Sequence, residues 1–330
     1  MKVNEVINNN NLKISVIIPT FNEEKHIGKL IESLLNQTYL PDEIIISDAG
    51  SSDQTLNIIS NYSKKNKFIK IIKRKGICRG SGRNEGIFNA KNDLLALIDS
   101  GMIPDKDWLH SFSIHLKTKK SYDVIFGSVS FFVNKGIEKS YASTFMDKRK
   151  KLNYIDTSVA SMLIRKEIWR KVGRFPESQD GSYIVEDLDF IKKINDSKSY
   201  KIHESKARVY WIMDFNILKI IKRYYEYSIG SLKAGYFGKW HKGLIRNIIA
   251  LIFLFIASVK FSSYFLFIIL ILFLMKSYSY LKLSKWFVEE GVFSKIIYLF
   301  QTSFIFLIID ISSFVGIIRW LFLGSPKVKN

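Results

Sequence analysis

The chain has 330 residues, with 50 Lys and Arg against 30 Asp and Glu, a formal net charge of +20. That charge suits nucleic acid, an anionic membrane surface or a polyanionic substrate, and the length covers one large domain with an appendage. Cys78 is the only cysteine, which excludes an intrachain disulfide and any zinc-type cysteine spacing and fits a reducing compartment.

Residues 1–11 are polar and Asn-rich and read as a loose tail, with no apolar signal segment before Ile14. Residues 14–18 read as a buried strand closed by Pro19. Ile27, Leu30, Ile31, Leu34 and Leu35 recur at helical spacing and predict a helix over 24–37. Residues 43–47 are apolar without alternation, as expected of a parallel strand covered on both faces. The loops after these strands fall at carboxyl ends, where open α/β sheets bind ligands. Asp48, the turn Gly50-Ser51-Ser52 and Asp53 are therefore placed to meet a nucleotide, and Pro19, Thr20, Asn22 and Glu23 line the first loop. Glu23 reads either as a ribose contact or as the start of the helix.

A third strand spans 68–72 and a basic, Gly-rich loop follows, KRKGICRGSGRN, before a helix over 84–90. Lys73, Arg74 and Lys75 open that loop, and Arg79 and Arg83 flank its glycines. Guanidinium groups suit bidentate phosphate binding; the alternative is a solvated basic loop. A fourth strand over 94–98 ends at Asp99-Ser100-Gly101. A helix over 104–116 contains Trp108, and 124–132 reads as a strand. Residues 157–164 form a strand leading into a helix over 165–171; a further helix starts over 186–193, and 203–211 is a last strand. Alternating β and α units imply a doubly wound α/β sheet. Trp108, Tyr183 and Trp211 are candidates to stack on a sugar or line a lipid groove, against core packing. The pair Glu186-Asp187 at a helix start reads alone as either dipole partners or catalytic carboxylates.

Residues 218–242 are basic and aromatic and read as an interfacial amphipathic helix, because apolar runs follow at once. The runs 248–259 and 261–275 are divided by Lys260. Together they exceed a hydrocarbon core of about 30 Å, and each alone falls short of the roughly 20 residues a span needs. A tight hairpin and a long tilted helix both remain; the lysines between 276 and 295 favour the cytoplasmic side and hence the hairpin. Residues 296–323 form the other membrane segment, where Asp310 is either functional or paired with a basic group near a helix end. A basic protein with apolar spans uses its charge at the lipid surface. With no RNA-binding aromatic signature, nucleic acid is set aside as a partner.

Five motifs in order, SVIIPTFNEE, DAGSSDQT, GRNEGIFNA, LIDSG and VEDLDF, resemble those of the family 2 glycosyltransferases of the GT-A fold over residues 12–211. The resemblance implies a GT-A, Rossmann-like domain, a nucleotide-sugar donor, a divalent cation and inverting transfer. It implies that Asp187 is the base and that Asp99 binds the metal; Glu186 and Trp211 are expected on the acceptor side. The family's Asp-x-Asp motif here reads Asp99-Ser100-Gly101, so the second carboxylate of a Mg²⁺ or Mn²⁺ site is absent. Arg83 matches the family's Arg-Asn and is expected on phosphate ahead of Arg79. Asp48 is expected at the base or ribose, although Ala49 stands where the family often has a second Asp. His203 is a lone candidate for a late ligand. The Gln-x-x-Arg-Trp motif of processive synthases is missing, which implies addition of a single sugar.

The expected organisation is a tail over 1–11, a GT-A domain over 12–214, a basic juxtamembrane segment over 215–244, transmembrane helices over 245–323 and a polar tail over 324–330. The expected protein is a multi-pass membrane enzyme with a cytoplasmic catalytic domain, acting on a lipid-linked or glycan acceptor and touching membrane lipids. A polyprenyl-phosphate sugar synthase and a non-catalytic scaffold retaining the fold are the competing readings.

Overall fold

The computed structural model describes residues 12–74, 76, 78–116, 122–133, 136–145, 157–177, 185–213, 215–235 and 238–323. The expected tails, Lys75, Tyr183 and the expected domain end at 214 lie outside the described residues. The chain divides into two compact units, residues 1–130 with 156–211 and residues 131–155 with 212–330. The segment 131–155 thus groups with the C-terminal helices.

The first unit opens with β1 (Ile14–Thr20), α1 (Ile27–Leu35), β2 (Glu43–Asp48), α2 (Thr55–Lys65) and β3 (Ile69–Lys73). It continues with α3 (Arg79–Phe88), β4 (Leu94–Leu97), β5 (Met102–Pro104), α4 (Trp108–Leu116) and β6 (Val124–Phe132). After α5 (Gly136–Ser143), which belongs to the second unit, come β7 (Met162–Arg165), α6 (Lys166–Lys171), α7 (Glu186–Asp196) and β8 (Lys201–Ile212). The sheet order is β3-β2-β1-β4-β7-β6-β8-β5. β3, β2, β1 and β4 run parallel, whereas β7 is antiparallel to both β4 and β6. The sheet is therefore mixed, and only its first half follows the doubly wound pattern. Every residue of β1, β2 and β4 is buried, as strands covered on both faces require.

Two differences from the sequence reading have clear causes. The Gly-rich segment expected as a loop is the first half of α3. Glycine disfavours helix by about 1 kcal/mol against alanine, but here close packing decides. A Cβ on Gly86 would stand 2.6 Å from Ile17 Cγ2, and one on Gly80 would stand 2.1 Å from the Pro176 carbonyl oxygen. Only glycine lets α3 approach β1 and the segment before residue 177 so closely. The residues around Pro104 form the short strand β5, not a helix start, because they pair with β8 in the register Met102↔Trp211.

The second unit holds α8 (Ile217–Lys233), α9 (Lys239–Lys260), α10 (Tyr264–Leu281), α11 (Lys285–Glu289) and α12 (Val292–Leu323). Gly235 has φ +76 and breaks the basic segment between α8 and α9. The segment expected as one interfacial helix is thus α8 plus the first turn of α9. Among the described residues three helices are long and apolar enough to cross a membrane, over His241–Lys260, Tyr264–Leu281 and Val292–Phe322. The break between α9 and α10 supports the hairpin over the single tilted helix, and residues upstream of 248 give α9 the length its apolar run lacked. Asp310 lies inside α12, not at its end, and accepts from Lys276 Nζ of α10 at 2.6 Å.

Candidate active site

Residues of the first unit build the site at the carboxyl ends of β1, β2 and β4. The loops after β1 and β2 are stitched together. Asn22, in a left-handed turn (φ 51), donates its N–H to Ser51 Oγ and accepts the Ser52 N–H, each at 2.9 Å. The Glu23 N–H donates to Thr55 Oγ1 at 2.8 Å, and the Gln54 N–H donates to Glu24 at 3.0 Å. These polar side chains carry loop geometry, a role the sequence reading did not assign them. The expectation that Ser51, Ser52 and Asp53 face a nucleotide gives way in part to this internal bonding.

Asp48 is wholly buried, and its carboxylate accepts the N–H groups of Gly50 and Ser51 and the Ser51 hydroxyl at 2.9, 3.0 and 2.5 Å. It shapes its own turn before it can meet a base or ribose. Thr20 is also buried, opposite Asp48 in the β1–β2 register, and its Oγ1 has no hydrogen-bond partner among the described residues. Pro19 packs close to Gly82 of α3, where a Cβ would come within 3.2 Å of the Pro19 Cβ. Arg74 turns inward and bonds Ser81 Oγ and the Cys78 carbonyl, each at 2.7 Å.

Arg83 departs from expectation most. Its side chain is only 2 % exposed, and its terminal nitrogens reach Asp99 Oδ1 at 2.7 Å and Glu186 Oε1 at 3.0 Å. Its guanidinium also lies over the Phe175 ring at 5.4 Å. Burial alone would lower its pKa, but the charges of Asp99, Glu186 and Asp187 outweigh that and hold it above the ordinary value. A group so placed fixes carboxylates and does not greet a phosphate. Arg79, ranked second from sequence, is the exposed arginine on the first turn of α3. Asn84, beside Arg83, is equally internal: it bonds the Phe175 and Trp169 N–H groups, the Phe175 carbonyl and Glu177.

Glu186, expected on the acceptor side, is buried beneath Arg83. Asp187 is next to it on the first turn of α7 and is half-buried. Burial first, and the Glu186 charge second, push the Asp187 carboxyl up to about 6, against the pull of Arg83. Asp99 is half-exposed at the end of β4. Trp211 is half-buried on β8, opposite Met102. Trp108 is core: it is fully buried and its Nε1 donates to Ser161 Oγ at 2.9 Å. His203 stands exposed on β8. Among the described residues no three His, Cys, Asp or Glu side chains gather into a ready metal cage.

Comparison with known proteins agrees with this architecture. The model of the family described as Glycosyl transferase family 2 matches residues 15–173. A Methanococcus voltae protein, dolichyl N-acetyl-alpha-D-glucosaminyl phosphate 3-beta-D-2,3-diacetamido-2,3-dideoxy-beta-D-glucuronosyltransferase, is 38% identical over 127 residues, 37% of this chain. The match spans only 39% of that relative's length, and 11% of a Pasteurella multocida chondroitin synthase at 35% identity. A Campylobacter jejuni protein, GalNAc(5)-diNAcBac-PP-undecaprenol beta-1,3-glucosyltransferase, is 27% identical across 67% of this chain and 72% of its own. Among solved structures, a mannosyltransferase from Pyrobaculum calidifontis, in complex with GDP-Man and Mn²⁺, superimposes with TM-score 0.59 at 15% identity. That likeness covers 95% of this chain and 88% of the other and shows a shared GT-A-like fold. With its motifs in family order and the family match over residues 15–173, this part of the chain is similar to glycosyl transferase family 2.

Proposed function

We propose that the chain is an inverting glycosyltransferase that moves one sugar from a nucleotide-sugar donor to a lipid-linked glycan or polysaccharide precursor. It works at the cytoplasmic membrane face, with Asp187 as base and Asp99 at the metal-diphosphate site. The observation that carries this reading is the buried Arg83, which holds Asp99 at 2.7 Å and Glu186 at 3.0 Å in one frame. Asp187 follows Glu186 in sequence, so the base and the leaving-group end share that frame. The three apolar helices and the lipid-linked acceptors in two relatives' names support the membrane acceptor. The missing Gln-x-x-Arg-Trp motif supports single-sugar addition, and a ladder of long products from pure enzyme would refute it.

Ionised Asp187 takes the acceptor hydroxyl proton as that oxygen attacks the anomeric carbon. The bond from this carbon to the diphosphate oxygen breaks on the opposite face, and configuration inverts. A carboxyl with pKa about 6 is ionised at neutral pH and still basic enough to take a proton. Exposed Arg79, at the N-terminus of α3, is suited to the diphosphate through charge and helix dipole together.

Mg²⁺ and Mn²⁺ take oxygen ligands, and Mg²⁺ commonly uses one or two carboxylates beside waters and substrate phosphates. Asp99 is half-exposed, and only its Oδ1 is held by Arg83, so the residues present fit such an ion. When bound, the cation neutralises charge on the departing diphosphate.

The test is nucleoside diphosphate release from UDP-, GDP- and dTDP-sugars by enzyme in native membranes, with and without Mn²⁺. Release from one donor is expected, and Asp187→Asn should reduce it about 10²–10⁴-fold. Release that survives the substitution would favour a phosphate acceptor, which scarcely needs a base. Donor binding with no release from any acceptor-bearing membrane would favour the scaffold.

A further inference from the structure

Gly101 ends the Asp99-Ser100-Gly101 turn and carries no side chain, but the space beside it is not neutral. A Cβ on Gly101 would have the two carboxylate oxygens of Glu23 as its nearest heavy atoms, at 3.8 and 3.9 Å. We propose that Glu23, from the loop after β1, supplies the second carboxylate that the turn after β4 lacks, completing with Asp99 the divalent-cation site. This rests on the reading of Asp99 given above.

Three observations argue for it. First, the Glu23 backbone is fixed on both sides. Its N–H donates to Thr55 Oγ1 at 2.8 Å, and its carbonyl accepts from the N–H groups of His26 and Ile27 at 3.0 Å each. Its side chain thus projects from a held position and not from a loose loop. Second, only one carboxylate oxygen has a partner among the described residues: Oε2 lies 3.3 Å from His26 Nδ1, and nothing there donates to Oε1. Asp99 likewise keeps Oδ2 while Arg83 takes Oδ1. Each acid offers one oxygen, which suits a hard cation that completes its shell with water and phosphate. Third, the arrangement explains the glycine. A carboxylate on residue 101 would crowd a like charge against Glu23 with no ion between them, a destabilising contact. Glycine removes that repulsion.

The arrangement also makes a swap feasible. Gly101 is absent from the glycines with positive φ, and contacts of 3.8–3.9 Å are ordinary, so the backbone there accepts a Cβ without strain. The experiment follows Mn²⁺ binding by the electron paramagnetic resonance of free Mn²⁺. It uses the full chain in lipid nanodiscs, with UDP or GDP present. Glu23→Gln should weaken Mn²⁺ binding by about tenfold or more, the loss that even outer partners of a metal ligand can cause. The double variant Glu23→Gln with Gly101→Asp should regain most of it. Recovery would separate a ligand role from a ribose contact, which an acid on residue 101 does not replace. Wild-type affinity in Glu23→Gln, beside loss in Asp99→Asn, would overturn the proposal and leave the Asp99 reading standing. Loss in Glu23→Gln without recovery in the double variant would overturn it too. Unaltered binding in Asp99→Asn, or none in the wild type, would overturn the Asp99 reading and this proposal together.

Discussion

In the sheet unit the core holds Ile, Val and Leu of β1, β2 and β4, and Asp99, Glu186 and Asp187 gather around Arg83. In the helical unit large apolar side chains also stand on the outside of the long helices. Ser228, Ser277, Thr302, Asp310 and Ser313 are buried, while Phe253, Phe255, Phe267 and Leu272 stand exposed. Ser277 and Ser303 share a hydrogen bond at 2.8 Å, and the Ser228 hydroxyl donates to the Ser313 carbonyl at the same distance. A chain folding in water hides its apolar side chains. Helices associating in lipid gain nothing from that and instead bring small and polar residues together. Lipid around the helical unit would account for this contrast between the two units.

The sharpest way to break this contrast in the sheet unit is to remove the buried guanidinium of Arg83. Arg83→Leu leaves Asp99 and Glu186 facing each other without compensation. Losing one partner of a buried pair costs about 3–5 kcal/mol. Thermal unfolding of the purified protein should show a correspondingly lowered midpoint, with transfer lost as well. A midpoint equal to wild type would mean that the guanidinium is not the keystone described here.

In the helical unit the matching experiment puts a charge on the outside. Leu272 is 47% exposed at the middle of α10, so Leu272→Lys puts its charge on an outward face. In water such a change would be nearly silent. In lipid, a lysine near the centre of a span costs about 2.5–3.5 kcal/mol on insertion scales. Reduced membrane insertion, read by glycosylation mapping of tagged loops, is expected. Full insertion would show that this face does not meet lipid.

Glycine allows the same substitution to be made in both units. A Cβ on Gly80 would lie 2.1 Å from the Pro176 carbonyl oxygen, and one on Gly316 would lie 2.7 Å from that of Tyr225. Overpacking typically costs about 1–3 kcal/mol, and both Gly80→Ala and Gly316→Ala should lower stability by that order. Gly80→Ala should be the worse of the two, because its clash with a backbone oxygen is the closer. Denaturation of the two variants side by side would check the order.

Much of this was legible in the chain itself, and the exceptions share a physical cause. β1, β2 and β4 were readable because apolar runs bounded by turn residues admit few other structures. The Asp187 and Asp99 positions followed from motif order. The role of Arg83 was not legible, since sequence gives its charge but not the 103 and 16 residues of separation over which Glu186 and Asp99 meet it. The helical start of α3 was hidden for the same reason: its glycines look like a loop until Ile17 and Pro176 are known to press against them. Glu23 beside Gly101 is a third case, two loops apart in sequence and adjacent only after folding.

The smallest expected effect concerns protons. Asp187 must be ionised to act as base, and its carboxyl stands at about 6, above the ordinary value of 3.8. Activity should therefore rise with pH up to roughly 6 and flatten above it. Below that point the loss should approach tenfold per pH unit, equivalent to about 1.4 kcal/mol. The sign is fixed by the causes. Burial and Glu186 both disfavour the charged form, so acidification removes the active species early. The same raised value predicts a penalty, not a gain, for stability at neutral pH, where the unfolded chain ionises Asp187 more easily. Asp187→Asn should thus abolish transfer while leaving the protein at least as stable at pH 7. A rate limb near 4 in the wild type, or a less stable Asn variant at neutral pH, would mean that Asp187 stands in water like any surface carboxylate. Its place beneath the Arg83 frame would then have no bearing on the chemistry.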